Sequence, residues 1–264
     1  MSHQDLQRVA VRMLFDPSFA ARVHAGEPVP QLSEQEMGWL RATDPRAWTV
    51  DHQRPARTLN ELTAEFPVST ALVVGRTRKA STVQAFFQSS EFHDAVQDRG
   101  SLDVAFAGYL TGLELDPHLA DIVTLEGAQA RIRREVEVLP SRMEGLARGH
   151  VVRARGVAAV NVDVATLDAM NRIEERLFAL RLVPAVALAH DAPGLPDLPA
   201  RAGQSDALVL QNGIRRLGQV VCRTLRALER PQPLERMAEL SVLPAHVAPQ
   251  LLEDLTRSGL ATAG

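Results

Sequence analysis

The feature that most limits the fold is a change of periodicity near residue 140. Before it, apolar residues recur at the spacing of one helix face, as in Leu6, Val9, Ala10, Met13 and Leu14. After it comes Val151-Val152-Arg153-Ala154-Arg155-Gly156-Val157-Ala158-Ala159-Val160, a run with strand character. Helices first, then strands mixed with helices, is an α+β pattern. A chain of 264 residues has room for two domains, and the texture places them at 1–145, helical, and 146–264, α+β.

Local signals subdivide each half. Asp16-Pro17-Ser18 ends the first helix, and Leu32-Ser33-Glu34-Gln35-Glu36 reads as a capping box with a staple-like Leu32. That helix stops before Asp44-Pro45, because the residue preceding proline avoids the α region. Further helices are expected over 46–65, 68–76, 81–97, 101–112 and 117–139, the last opened by Asp116-Pro117 as N-cap and first turn. The second half reads as strand 151–160, helix 163–180, apolar run 182–189, a linker over 191–205, apolar run 206–211 and a turn at Asn212-Gly213. Helices follow at Ile214–Arg230, Leu234–Leu240 and His246–Ser258.

Composition removes several classes. With 45% hydrophobic and 23% charged residues the chain is ordinary for a folded protein, and its formal charge of −3 gives no reason to expect a polyanion or an anionic surface. The longest uncharged apolar stretch, 182–189, falls well short of the roughly 20 residues a bilayer needs, and the N-terminus lacks the layout of a secretory signal. A soluble, cytoplasmic protein without a membrane partner is the expectation. The single cysteine, Cys222, excludes an intrachain disulfide framework and reads as a buried small hydrophobe beside Val220 and Val221.

The chemistry-bearing residues assemble into no catalytic constellation. Eight histidines are scattered without HxH or HExxH spacing, although His93 lies near Glu91 and Asp94, His118 near Asp121, and His190 beside Asp191. Val73-Val74-Gly75-Arg76-Thr77-Arg78-Lys79 has one glycine where a phosphate loop needs its full spacing, so a helix end with a basic turn is the better reading. No catalytic residue, no metal ligand and no cofactor is expected in this chain.

The tail resembles a winged-helix arrangement, and winged helices often bind DNA. Residues 206–264, however, carry seven arginines against six acids, and the candidate reading helix offers Arg257 against Glu253 and Asp254. That is a poor footprint for nucleic acid. The alternative use of such a fold is to take an extended peptide on an exposed sheet edge.

One region is more distinctive. Phe86-Phe87-Gln88-Ser89-Ser90-Glu91-Phe92-His93 is followed by Arg99-Gly100-Ser101 and Phe106-Ala107-Gly108-Tyr109-Leu110, and preceded by Asp44-Pro45-Arg46-Ala47-Trp48 and Phe66-Pro67-Val68-Ser69. In that order these resemble the partner proteins of multinuclear non-heme iron oxidative enzymes, the TIM barrels that modify ribosomally made peptides, methanobactin synthesis being one case. The resemblance covers roughly residues 5–112 by motif and the remainder by element order. It implies a non-catalytic subunit whose helical half docks on the iron enzyme as a heterodimer. It further implies a winged-helix-like recognition element, a small sheet plus three helices, that captures the precursor's leader, with iron held by the enzyme. The chain is longer than the shortest partners, with 150–190 placed before that element.

On this resemblance, Phe86, Phe87, Phe92, His93, Phe106 and Tyr109 are candidates for the enzyme interface, although aromatics at helical spacing more often pack a core. For the leader, the strand 206–211 would lie beside the helix 246–258 with a free edge. Ala207, Leu208, Val209, Leu210 and Gln211 would then offer the strand, and Gln250, Asp254 and Arg257 the opposite wall. The competing function is a winged-helix DNA-binding regulator.

Overall fold

A computed structural model of the chain describes residues 3–49, 51, 53–138, 146–179, 194–203, 205–210, 213–244 and 246–264. Within them the fold is mixed helix and antiparallel sheet, as the change of periodicity implies. The chain divides into two units. One is Met1–Val123 with Asn171–Asp197, the other Thr124–Met170 with Leu198–Gly264. The sequence expectation places one boundary at 145/146, and in this division two long helices each contain a point where the assignment changes. These are α10 (Leu119–Val138) and α11 (Thr166–Ala179).

The first unit is helical, and its breaks sit where local chemistry puts them. Helix α1 (His3–Phe15) buries Val9 and Met13 and ends at Asp16. Asp16 Oδ1 then accepts the N–H of Phe19 at 3.0 Å and caps α2 (Pro17–His24), with Pro17 in the first turn. The capping box of α3 (Glu34–Ala42) is present: Glu36 Oε2 accepts the Ser33 N–H at 2.8 Å, and Ser33 Oγ accepts the Glu36 N–H at 3.3 Å. The expected helix 46–65 is two pieces, α4 (Pro45–Thr49) and α5 (Arg54–Glu65).

Helix α6 (Pro67–Thr77) is buried along Val68–Val74 and ends with Arg78 in the left-handed region. The basic turn after Gly75 is thus a helix end, as the sequence suggests. A Cβ at Gly75 would stand 2.5 Å from the Leu195 side chain, so the glycine serves close packing. Arg76 clamps Asp116 through Nε at 2.9 Å and Nη2 at 2.6 Å, while Asp116 Oδ1 takes the His118 N–H at 2.9 Å. Residues 81–97 form α7 (Ser81–Gln84), a 3-10 turn (Ala85–Gln88) and α8 (Ser90–Gln97), and α9 (Leu102–Gly112) follows.

The second unit holds two three-stranded antiparallel sheets. The expected strand 151–160 is two strands, β1 (His150–Arg153) and β2 (Ala158–Asp163), separated at Gly156, whose φ of +70° suits glycine. Strand β2 pairs with β3 (Ser205–Leu210), and β3 pairs with β4 (Ile214–Arg216). Strand β1 lies between β5 (Gln232–Pro233) and β6 (Ala261–Ala263).

Ile214–Arg216 is therefore a hairpin strand, where the sequence suggested the start of a helix, and the helix itself is α12 (Gln219–Ala227). Helices α13 (Met237–Ser241) and α14 (Ala248–Arg257) complete the unit, and α12 packs on β2, β3 and α13. Cys222, Leu225, Leu255 and Val151 share its core, so Cys222 is buried as expected.

Candidate functional site

Strand β3 is the centre of its sheet. Its six residues pair with β2, from Ala158↔Leu210 to Asp163↔Ser205, and Leu208–Leu210 also pair with β4. A free edge along the candidate leader strand is thus corrected: Leu208, Val209 and Leu210 already have partners on both sides. Leu210 is buried, and Gln211 lies outside the described residues, as does the apolar run 182–189. Among the described residues β2 and β4 are the edges of this sheet, and β4 is the one whose three residues are all exposed. Its side chains Ile214, Arg215 and Arg216 were not singled out by sequence, because Ile214 was assigned to a helix.

Helix α14 packs against α13 and β6, and β3 packs against α12. Gln250, Asp254 and Arg257 do come together, on one exposed face of α14. Arg257 Nη1 donates to Asp254 Oδ1 at 3.2 Å, Gln250 Nε2 donates to the same oxygen at 3.4 Å, and Arg257 also pairs with Glu253. Leu255 points into the core, and Leu251 packs against it.

In the first unit the aromatic candidates form one cluster. Phe86 and Phe92 lie 5.3 Å apart by ring centroids, Phe86 and Phe106 5.1 Å, and Phe87 and Phe92 5.2 Å, in tilted or edge-to-face contact. Phe15 and Phe66 join them, at 4.8 Å from Phe92 and 5.7 Å from Phe106. Phe86, Phe87, Phe92 and Phe106 are buried, so these four are core and not surface anchors. Tyr109 is half-buried, donates its hydroxyl to the Thr82 carbonyl and is raised in pKa by burial and then by Glu91.

His93 is the sixth candidate. It is half-buried on α8, its ring 5.5 Å from Phe92, and neither ring nitrogen has a hydrogen-bonding partner in the protein. Burial first, and then Arg12 and Arg8, lower its pKa below the ordinary histidine value. Its acidic neighbour Asp94 is engaged by Arg8 at 2.9 Å. Sequence spacing had linked His93 to Glu91 and Asp94. The basic side chains on α1 were not foreseen around it, since nothing local in α8 announces them.

Among the described residues no group of three or more His, Cys, Asp or Glu side chains is placed to hold a metal ion, and no helix is long and apolar enough to cross a membrane. His118 is buried beside the Asp116 cap, and His190 lies outside the described residues. No protein-family model matches the chain, and no curated protein matches it.

Proposed function

We propose that the chain is a non-catalytic partner subunit that binds the leader of a ribosomally made precursor peptide and presents it to a multinuclear non-heme iron oxidase. The observation that carries this reading is β4, a short, exposed edge strand on an antiparallel sheet that precedes α12, α13 and α14. Such an edge presents backbone N–H and C=O groups to which an extended peptide adds as a further strand. The order strand, helix, two strands, and then α12, α13 and α14 with the short β5 between the first two, also supports a small sheet with three helices of the kind a winged-helix-like recognition element has. The helical first unit is the enzyme-docking part, with its aromatic cluster as scaffold and with His93 and Tyr109 as the candidates that reach the surface. Iron, on this reading, belongs to the partner enzyme.

The DNA-binding alternative is less well supported. Helix α14 carries one cation, Arg257, and two adjacent carboxylates already engage it. Phosphate contacts need cations that are available.

The test is to co-express the chain with a multinuclear non-heme iron enzyme and a short precursor peptide, and to titrate the labelled leader. Proline is placed at Arg215, or at Ile214 and Arg216 together. One set removes donors facing β3, the other donors facing outward. The expected result is at least a tenfold loss of leader affinity in the outward set, with the heterodimer intact and circular dichroism unchanged. Unaltered affinity in both folded variants removes the leader from β4. A steeply salt-dependent affinity for duplex DNA would favour the regulator.

A further inference from the structure

The basic charge of the tail is concentrated beside β4. Over residues 206–264 seven arginines and six acids nearly balance, yet they are unevenly spread. From Ala207 to Leu228 the chain holds Arg215, Arg216, Arg223 and Arg226 and no Asp or Glu. That stretch is most of β3, all of β4 and all of α12. The four arginines are exposed. Among the described residues Arg215 and Arg223 have no acidic partner, whereas Arg257 on α14 is engaged by Glu253 and Asp254.

The register fixes which way the edge residues face. Arg215 and Ala159 both pair with Val209, so the two lie on one face of the sheet. Ala159 belongs to the core that α12 joins through Cys222 and Leu225. Arg215 therefore projects on the side of the sheet that α12 covers. Ile214 and Ala158 both pair with Leu210 and share the opposite face, where Ile214 stays 36% exposed. A strand added outside β4 meets a cation on one face and an apolar side chain on the other.

We propose, resting on the reading of β4 as the leader edge, that this edge selects an acidic strand. The captured segment alternates, with a carboxylate opposite Arg215 and a neighbouring apolar side chain opposite Ile214. Opposite charges facing each other across two strands stabilise the pair, and like charges there destabilise it. Arg223 and Arg226 extend the same sign along the exposed side of α12. A nucleic acid suits this edge less well. Strand β4 offers carbonyl acceptors as well as N–H donors, and phosphates pair only with donors. A peptide strand pairs with both.

The test uses the full chain and labelled acetyl-Ser-Glu-Val-Glu-Val-Glu-Ser-amide, followed by fluorescence anisotropy. Matched peptides carry Gln or Lys at every Glu, and a fourth carries Pro at both Val. The Glu peptide should bind at least fivefold more tightly than each of the other three. Arg215→Glu should cost it at least fivefold and improve the Lys peptide, with circular dichroism unchanged. If Arg215→Glu fails to fold, Arg215→Gln takes its place, and the preference for Glu over Gln should shrink. Equal binding of the Glu, Gln and Lys peptides overturns the charge selection and leaves β4 as an edge indifferent to side chains. Binding by none of them overturns the selection and the edge together. A preference for Glu that survives in the folded Arg215 variants, or a Pro peptide that binds as well as the Glu peptide, also overturns the proposal. So does displacement of the Glu peptide by a short DNA duplex at lower concentration, which assigns the arginines to nucleic acid. An acidic preference that disappears in the Arg215 variants, in a chain that forms no complex with the iron enzyme, sinks the partner-subunit reading alone.

Discussion

The carboxylate of Asp163, at the end of β2, accepts the backbone N–H of Gly203 at 2.8 Å, forty residues further along the chain. The same side chain takes the N–H of Ala165 at 2.9 Å, that of Ala202 at 3.1 Å and Arg201 Nε at 3.4 Å. It therefore fastens two turns at once: the one entering α11 and the one leading into β3. These donors converge on one buried carboxylate, and they hold its pKa at about 2, the Ala165 N–H contributing most.

The sign of the pH dependence follows. An unfolded aspartate titrates near ~3.9, above the folded value, so the folded state favours the ionised form. The stabilisation is complete above about pH 4 and is lost as the pH falls from there toward 2. Asp163→Asn keeps the shape and removes the charge. Urea denaturation at several pH values should show wild type well above the variant at pH 7, with the gap shrinking below pH 4. A gap that stays constant to pH 2 would contradict the assignment.

Two glycines should respond oppositely to alanine. Gly38 sits inside α3 with nothing within 4 Å of an added Cβ, so Gly38→Ala should stabilise by about 0.5–1 kcal/mol through helix propensity. Gly75 lies in α6 with the Leu195 side chain 2.5 Å from where its Cβ would be. Overpacking of that kind costs about 1–3 kcal/mol, more than the propensity gain. Thermal melts of the two variants should therefore move in opposite directions from wild type. Equal shifts would mean that Leu195 does not pack on Gly75.

The aromatic cluster is a stability element first. Phe92→Ala, at a fully buried position with three phenylalanine neighbours, should cost about 3–5 kcal/mol. Tyr109→Phe loses only the hydroxyl's bond to the Thr82 carbonyl, worth about 1 kcal/mol. Denaturation midpoints measured on the isolated chain, without any partner enzyme, should preserve that order. A Phe92→Ala chain as stable as wild type would return Phe92 to the surface.

What could be read from sequence was what one segment decides for itself. Asp16-Pro17 ends a helix because the proline and the aspartate cap act within three residues, and Ser33 with Glu36 does the same for α3. Cys222 is buried because its own helix face is apolar. The misreadings needed a partner from elsewhere. Ile214–Arg216 has no strand pattern of its own and is a strand because Leu208–Leu210 pairs with it. Spacing put Phe86, Phe92 and Phe106 on helix faces, yet what covers those faces comes in part from Phe15 and Phe66. The environment of His93 was hidden for the same reason, since Arg8 and Arg12 belong to a helix some eighty residues earlier.

The sheet allows one more comparison, between its centre and its edge. Val209 pairs with Ala159 on one side and with Arg215 on the other. A proline there fixes φ, removes a ladder donor and sits between two strands, where proline is scarcely found. Val209→Pro should therefore cost about 3 kcal/mol or more and weaken any peptide binding through unfolding of the sheet. The edge strand tolerates proline better, because half of its N–H groups face away from β3. Of Ile214→Pro and Arg215→Pro, at least one should stay within about 1 kcal/mol of wild type, since the outward position loses no ladder bond. Urea midpoints for the three variants decide it. If Val209→Pro were the mildest of them, β3 would not be the central strand, and the leader would return to its edge.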